Sequence, residues 1–178
     1  MKKINDIASL YNLYVDHLYT YALYLGFDKE TIMDAIHDVF CKLAADQKKL
    51  HDVSNIKLYL FRALKNRLYD IFKTRREYVG LSIIESQEMP FDIQITIEDP
   101  LIDREEQQQI EHSVTEMLRS LTERQREIVY LRYIQEYDYE QIAELLHISV
   151  HGCRKLLSKA MQKLRDTYGF KSMLFLLL

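Results

Sequence analysis

Residues 121–166, LTERQREIVYLRYIQEYDYEQIAELLHISVHGCRKLLSKAMQKLRD, constrain the fold most, because three helix starts are written into them. Thr122 followed by Gln125 makes a capping box, in which the Thr hydroxyl accepts from a free first-turn amide and the Gln reaches back. Asp138 and Gln141 repeat the device. Ser149 opens a third helix soon after Leu146 ends the second. Ile142, Leu145, Leu146 and Ile148 are expected to face Cys153, Leu157, Ala160 and Leu164 across the short turn, at helical spacing. Ala143 is small enough to let the two helices cross closely. Two helices joined by a turn of three or four residues make a helix-turn-helix, whose second helix fits the major groove of DNA.

That second helix carries Arg154, Lys155, Lys159, Lys163 and Arg165, with no acid between Val150 and Arg165. A helix that reads DNA sets cations against phosphates and one or two long donors against base edges. An ordinary amphipathic helix with a solvated basic face shows the same pattern, and pattern alone leaves both readings open.

Few helix breakers occur in the rest of the chain. Only four Gly and two Pro punctuate 178 residues, so an all-α protein of two small helical domains is expected. The net charge of −3 conceals a partition. Residues 1–76 hold 13 Lys and Arg against 9 acids, residues 77–111 one Arg against 10 acids, and residues 112–178 10 against 8. Two basic ends around an acidic middle suggest two DNA-facing modules and a connector. Cys41 and Cys153 share no metal-ligand or disulfide spacing and lie at apolar helix positions, so both are expected in the core. No metal, cofactor or small-molecule substrate is expected. A phosphate-cradling Gly-rich loop, an HExxH pair and a nucleophile elbow are all missing, which speaks against an enzyme. With no signal peptide at the start, the chain is expected in the cytoplasm.

Residues 4–25 place Ile7, Leu10, Tyr14, Leu18, Tyr21 and Leu25 on one helical stripe, closed by Gly26. A second helix is expected over 29–46, with Ile32, Ile36, Val39, Phe40 and Leu43 inward. Asp34, His37 and Asp38 lie off that stripe, where spacing alone reads as a plain solvated face. Residues 55–76 follow, with Leu60, Leu64, Leu68 and Phe72 as a buried stripe. Lys57, Arg62, Lys65, Arg67, Lys73, Arg75 and Arg76 face Asp70 alone, and Tyr59, Phe61 and Tyr69 interleave with them. Cations beside aromatic faces suit a single strand with unstacked bases. Residues 77–108 lose the helical period. Phe91, Ile93, Ile95 and Ile97 alternate without a second strand to pair with, so a mobile, extended acidic linker is expected, with Pro90 and Pro100 favouring extension. Helix is expected again from Leu101 to Leu118. The apolar tail over 169–178 is far too short to span a bilayer, which takes about 20 residues, and is expected to pack back on the C-terminal domain.

Residues 8–166 resemble, in two blocks, the small extracytoplasmic-function (ECF) branch of the bacterial sigma factors. Leu121, Arg124-Gln125-Arg126, Leu131-Arg132-Tyr133, Tyr139 to Ala143, Ile148-Ser149-Val150 and Ala160 to Arg165 fall on the family's C-terminal motif. Gly152-Cys153, Leu156 and His147 depart from it; a left-handed backbone, which His tolerates, is expected at His147 in place of the usual Gly. DAIHDVF, residues 34–40, resembles the segment that grips a coiled coil of the core polymerase. The resemblance therefore implies a polymerase-binding role for Asp34, His37, Asp38 and Phe40, with His37 in place of the usual Gln. It implies minus-ten recognition and melting by Tyr59, Phe61, Arg62, Lys65, Asn66, Arg67, Lys73, Arg75 and Arg76, although a Trp usual near Leu58 or Tyr59 is missing. A chain break between Leu64 and Arg67 would present Asn66. Minus-thirty-five contacts are implied for Ser149, His151, Arg154, Lys155, Ser158 and Lys159. The organisation implied is an N-terminal domain at 1–76, a linker at 77–108 and a C-terminal helix-turn-helix domain at 109–168. The partners implied are core RNA polymerase, promoter DNA and, in many family members, an anti-sigma factor. A dimeric helix-turn-helix activator shares the C-terminal motif, but it needs an N-terminal sensor domain that residues 1–76 do not resemble.

Overall fold

Asp6 starts the first helix by accepting from the amides of Ala8 and Ser9 at 3.4 and 3.2 Å. The computed structural model describes residues 6–46, 53–79, 89–93 and 104–173, and every regular element among them is helical. They fall into two compact units, Met1–Met89 and Pro90–Leu178. Among the described residues no helix is long and apolar enough to cross a membrane.

In the first unit, α1 (Ile7–Tyr24) ends where Gly26 takes a left-handed backbone, φ 80°. Asp28 caps α2 (Lys29–Ala45) by accepting from the Thr31 amide at 2.9 Å and the Thr31 hydroxyl at 2.8 Å. Those two bonds hold its carboxyl at about 2, well below the usual carboxylate range. Asn55 accepts from the Leu58 amide at the start of α3 (Ile56–Val79). The three helices pack on one another around Leu18, Tyr21, Ile32, Ile36, Leu43, Leu60, Leu64 and Leu68, all essentially inaccessible to solvent.

Four expectations change here. α3 runs unbroken through 64–67, so Asn66 sits on a continuous helix and not at a junction. Phe61 is 0% exposed and packs its ring 5.2 Å from that of Tyr21, because position 61 faces α1 beside the leucine stripe. Phe72, expected in that stripe, is only half-buried, with the Arg76 guanidinium 5.6 Å from its ring centre. Cys41 is exposed on α2, while Cys153 is buried as expected, and burial pushes its thiol up.

In the second unit, α4 (Arg104–Arg119) leads into α5 (Glu123–Val129), which opens on the expected Thr122–Gln125 capping box. The backbone then widens into one π-helical stretch, Tyr130–Ile134, closed by the Gln135 amide donating to the Tyr130 carbonyl. α6 (Tyr139–Leu146) opens on the second capping box, at Asp138 and Gln141. α7 (Val150–Met173) follows, interrupted at Gly169, φ 76°. Ile142, Leu145, Cys153, Leu157, Ala160 and Leu164 are buried where the two helices meet, and Ile148 is half-buried.

Residues 89–93 carry no helix or strand, but Phe91 and Ile93 are buried within the second unit. Phe91 lies 5.6 Å from the Tyr130 ring. Arg126 fastens it: Nε donates to the Phe91 carbonyl at 2.6 Å, and an Nη donates to the carbonyls of Leu121 at 3.1 Å and Arg119 at 3.3 Å. One guanidinium thus ties the segment before α4 to the α4–α5 turn. Arg126→Ala is expected to cost about 1.5–3 kcal/mol, the range for hydrogen bonds to charged groups, and to speed amide exchange at Phe91–Ile93. Denaturation and hydrogen exchange on the full chain read both, and unchanged exchange at those amides would show the segment to be held without Arg126. Residues 80–88 and 94–103 of the expected linker, and 174–178 of the tail, lie outside the described residues.

Candidate nucleic-acid interface

The turn between α6 and α7 is tight because His147 takes the left-handed conformation, φ 53°, and its amide donates back to the Ala143 carbonyl. The Ile148 amide donates to the same carbonyl at 3.1 Å. Ser149 then caps α7 by accepting from the Gly152 amide at 3.0 Å. A Cβ on residue 152 would stand 3.2 Å from the Ser149 hydroxyl oxygen, tighter than most real contacts, which gives a local reason for glycine there. Ser149, His151, Arg154, Lys155, Ser158 and Lys159 are all exposed along α7. Lys163 is engaged elsewhere, donating to the Ser120 carbonyl at the end of α4.

Arg154 meets an aromatic partner that the sequence did not single out. Its guanidinium carbon lies 5.3 Å from the centre of the Tyr139 ring, and that of Arg132 lies 5.2 Å from the same ring. Arg132 also donates to the Tyr137 carbonyl at 2.9 Å. Contact spacing within one helix cannot reveal this cluster, because its members come from the π-helical stretch, α6 and α7.

In the first unit, α2 and α3 frame a pocket of about 240 Å³ lined by Asp38, Val39, Lys42, Tyr59, Ala63, Asn66, Arg67 and Asp70. Asn66 is exposed, and Tyr59, Arg62, Lys65 and Arg67 are half-exposed. Arg67 bonds Asp38 twice, Nε at 2.9 Å and an Nη at 2.8 Å from the same carboxylate oxygen. Arg75 reaches back to α2, donating to the Thr31 hydroxyl at 2.6 Å and to Asp28 at 3.4 Å. Lys73 is exposed, and Arg76, over Phe72, is half-exposed. Phe61 has no part in this face, being in the core. On α2, Asp34 and His37 are exposed and Asp38 is partly so. Phe40 is buried edge-on against Tyr11, ring centres 5.0 Å apart, so its side chain packs α2 against α1 and presents no exposed surface to a partner.

Two basic surfaces on an all-helical frame invite comparison with proteins of known role. Residues 111–164 match the family described as sigma-70, region 4. The ECF RNA polymerase sigma factor SigM of Bacillus subtilis is 24% identical over 165 residues, covering 92% of this chain and 95% of that protein. Over nearly its whole length the chain is similar to the ECF-type sigma factors. The RNA polymerase sigma factor YlaC of the same organism is 25% identical over 178 residues, 93% of this chain and 98% of its own length. Among solved structures, the sigma factor RpoE from Bartonella quintana, crystallised with the anti-sigma factor NepR, shares the fold at a TM-score of 0.62. It is 21% identical and covers 92% of this chain and 96% of its own. Coverage of nearly the whole length of both relatives leaves the dimeric-activator reading without support, since the N-terminal block matches along with the helix-turn-helix.

Proposed function

We propose that the chain binds core RNA polymerase, directs it to promoter DNA and helps to melt the minus-ten element, in the cytoplasm and without catalytic chemistry of its own. The polymerase contact is assigned to Asp34, His37 and Asp38 on α2. The basic face of α3, with Tyr59, Arg62, Lys65, Asn66, Arg67, Lys73, Arg75 and Arg76, is assigned to the minus-ten strand. Ser149, His151, Arg154, Lys155, Ser158 and Lys159 are assigned to the minus-thirty-five element. The observation that carries this reading is the exposure of all six of those residues along one helix that follows a tight, capped turn. A helix presented in that way can lie in a major groove with its first turns against base edges.

We also place the domain limits at 1–76, 77–108 and 109–168, with the acidic segment as connector. An anti-sigma factor is a further proposed partner, supported by a fold neighbour crystallised with such a protein, RpoE with NepR. Run-off transcription with purified core polymerase on genomic fragments, with and without the chain, tests the whole reading. New promoter-dependent transcripts are expected only with the chain present, and none on any fragment would refute it.

Arg154→Ala should cost roughly 1–3 kcal/mol of promoter binding and relax preference at one base position. A uniform loss across all promoter variants would instead make Arg154 a phosphate contact.

A further inference from the structure

Tyr139 is the first residue of α6, and its backbone is fixed by the capping box in which Asp138 accepts from Gln141 at 2.8 Å and Gln141 accepts from Asp138 at 2.9 Å. Its half-buried ring therefore stands on a rigid element, beside α7 and not on it. Two guanidinium groups lie against this ring, at 5.2 and 5.3 Å from its centre, within the range of cation–π attraction. Like charges so placed repel, so the arrangement needs something to hold each of them. Arg132 is held by the Tyr137 carbonyl. For Arg154 the ring supplies the hold. A guanidinium lying against an aromatic surface keeps its N–H donors in its own plane, where a guanine edge or a phosphate would meet them.

We propose that Tyr139 is a positioning residue for promoter readout, its ring setting the direction in which Arg154 presents its guanidinium to DNA. The inference rests on the reading of α7 as the DNA-reading helix. Without the ring, Arg154 must lose the freedom of a long flexible side chain at the moment of binding. With it, part of that ordering is complete beforehand, as a preorganised site requires.

The test uses the full chain assembled with core polymerase and a promoter found by run-off transcription. Its readout is the ratio of binding to the promoter and to variants substituted singly across the minus-thirty-five element. Arg154→Ala is expected to flatten preference at one position. Tyr139→Leu should lower preference at that same position roughly two- to fivefold, the range for a partly exposed cation–π contact. Tyr139→Phe should retain it. Pentafluorophenylalanine at 139 keeps the shape of Phe but reverses the charge on its ring face, and should behave like Leu; this arm decides the matter even if the Leu variant fails to fold. In the Arg154→Ala background, Tyr139→Leu should have no further effect. Pentafluorophenylalanine performing as well as Phe, or additive losses from the two substitutions, would overturn the proposal while leaving α7 as the reading helix. A uniform loss on Arg154→Ala would overturn the proposal with α7 still on DNA, and undiminished binding to every variant would overturn that assignment as well.

Discussion

Reversing the charge of Asp34 and Asp38 together is expected to abolish co-purification of the chain with core RNA polymerase. Asp34 is exposed on α2, where substitutions usually change stability by less than about 0.5 kcal/mol. Asp38 is different, since a lysine there would face Arg67, its present ion-pair partner at 2.8 Å. With side chains 40% and 43% exposed, that pair contributes about 0–1 kcal/mol, too little to decide whether the unit folds. The thermal transition should therefore shift by a few degrees at most while polymerase binding disappears. Asp34→Lys alone separates the effects, because it leaves the pair with Arg67 intact. Undiminished co-purification of the double variant would place the polymerase contact on another face.

Asn66→Ala is expected to leave folding and polymerase binding intact and to slow open-complex formation. Alanine is the better helix former and position 66 is exposed on an unbroken helix, so the substitution should change stability by less than about 0.5 kcal/mol. The amide donates and accepts at once, which suits the edge of a base held out of the duplex. It also lines the pocket that Tyr59, Arg67 and Asp70 share. If it captures such a base, its loss should cost about 1–3 kcal/mol, or roughly five- to 150-fold in melting. Permanganate reactivity of thymines near the start site reports the melting directly. On a template already opened by a mismatched bubble the penalty should nearly vanish. Equal harm on both templates would make Asn66 a packing residue of the α2–α3 pocket.

Local signals in the sequence were legible where they act locally. Both capping boxes, the Ser149 cap, the stop at Gly26 and the left-handed His147 involve neighbours within a few residues, and each stands as expected. The leucine stripe of α3 was legible for the same reason, through its helical period. What escaped depends on distant partners. An aromatic among cations is ambiguous until the helix beside it is known, so Phe61 was expected at the nucleic-acid face and is found against Tyr21. The break near Asn66 was implied by the family resemblance and not by any local breaker; one weak helix former does not interrupt a packed 24-residue helix. Arg126 donates to three backbone carbonyls, acceptors that every residue carries and that no sequence pattern marks. The Tyr139 cluster was invisible because its two arginines are 22 positions apart in the chain.

The bond between Asp38 and Arg67 joins, in one pair of side chains, a residue assigned to the polymerase and a residue assigned to the promoter. A protein cation that takes the Asp38 carboxylate must draw it from Arg67, and the guanidinium then has a vacancy that a phosphate can fill. Linkage makes the exchange reciprocal: whatever factor polymerase adds to affinity for DNA at this point, DNA adds to affinity for polymerase. A pair this exposed sets the size of the effect at about 1 kcal/mol or less, a factor of roughly five. Such a factor is too small for a switch and large enough for a bias, which would favour order in assembly: enzyme first, promoter second.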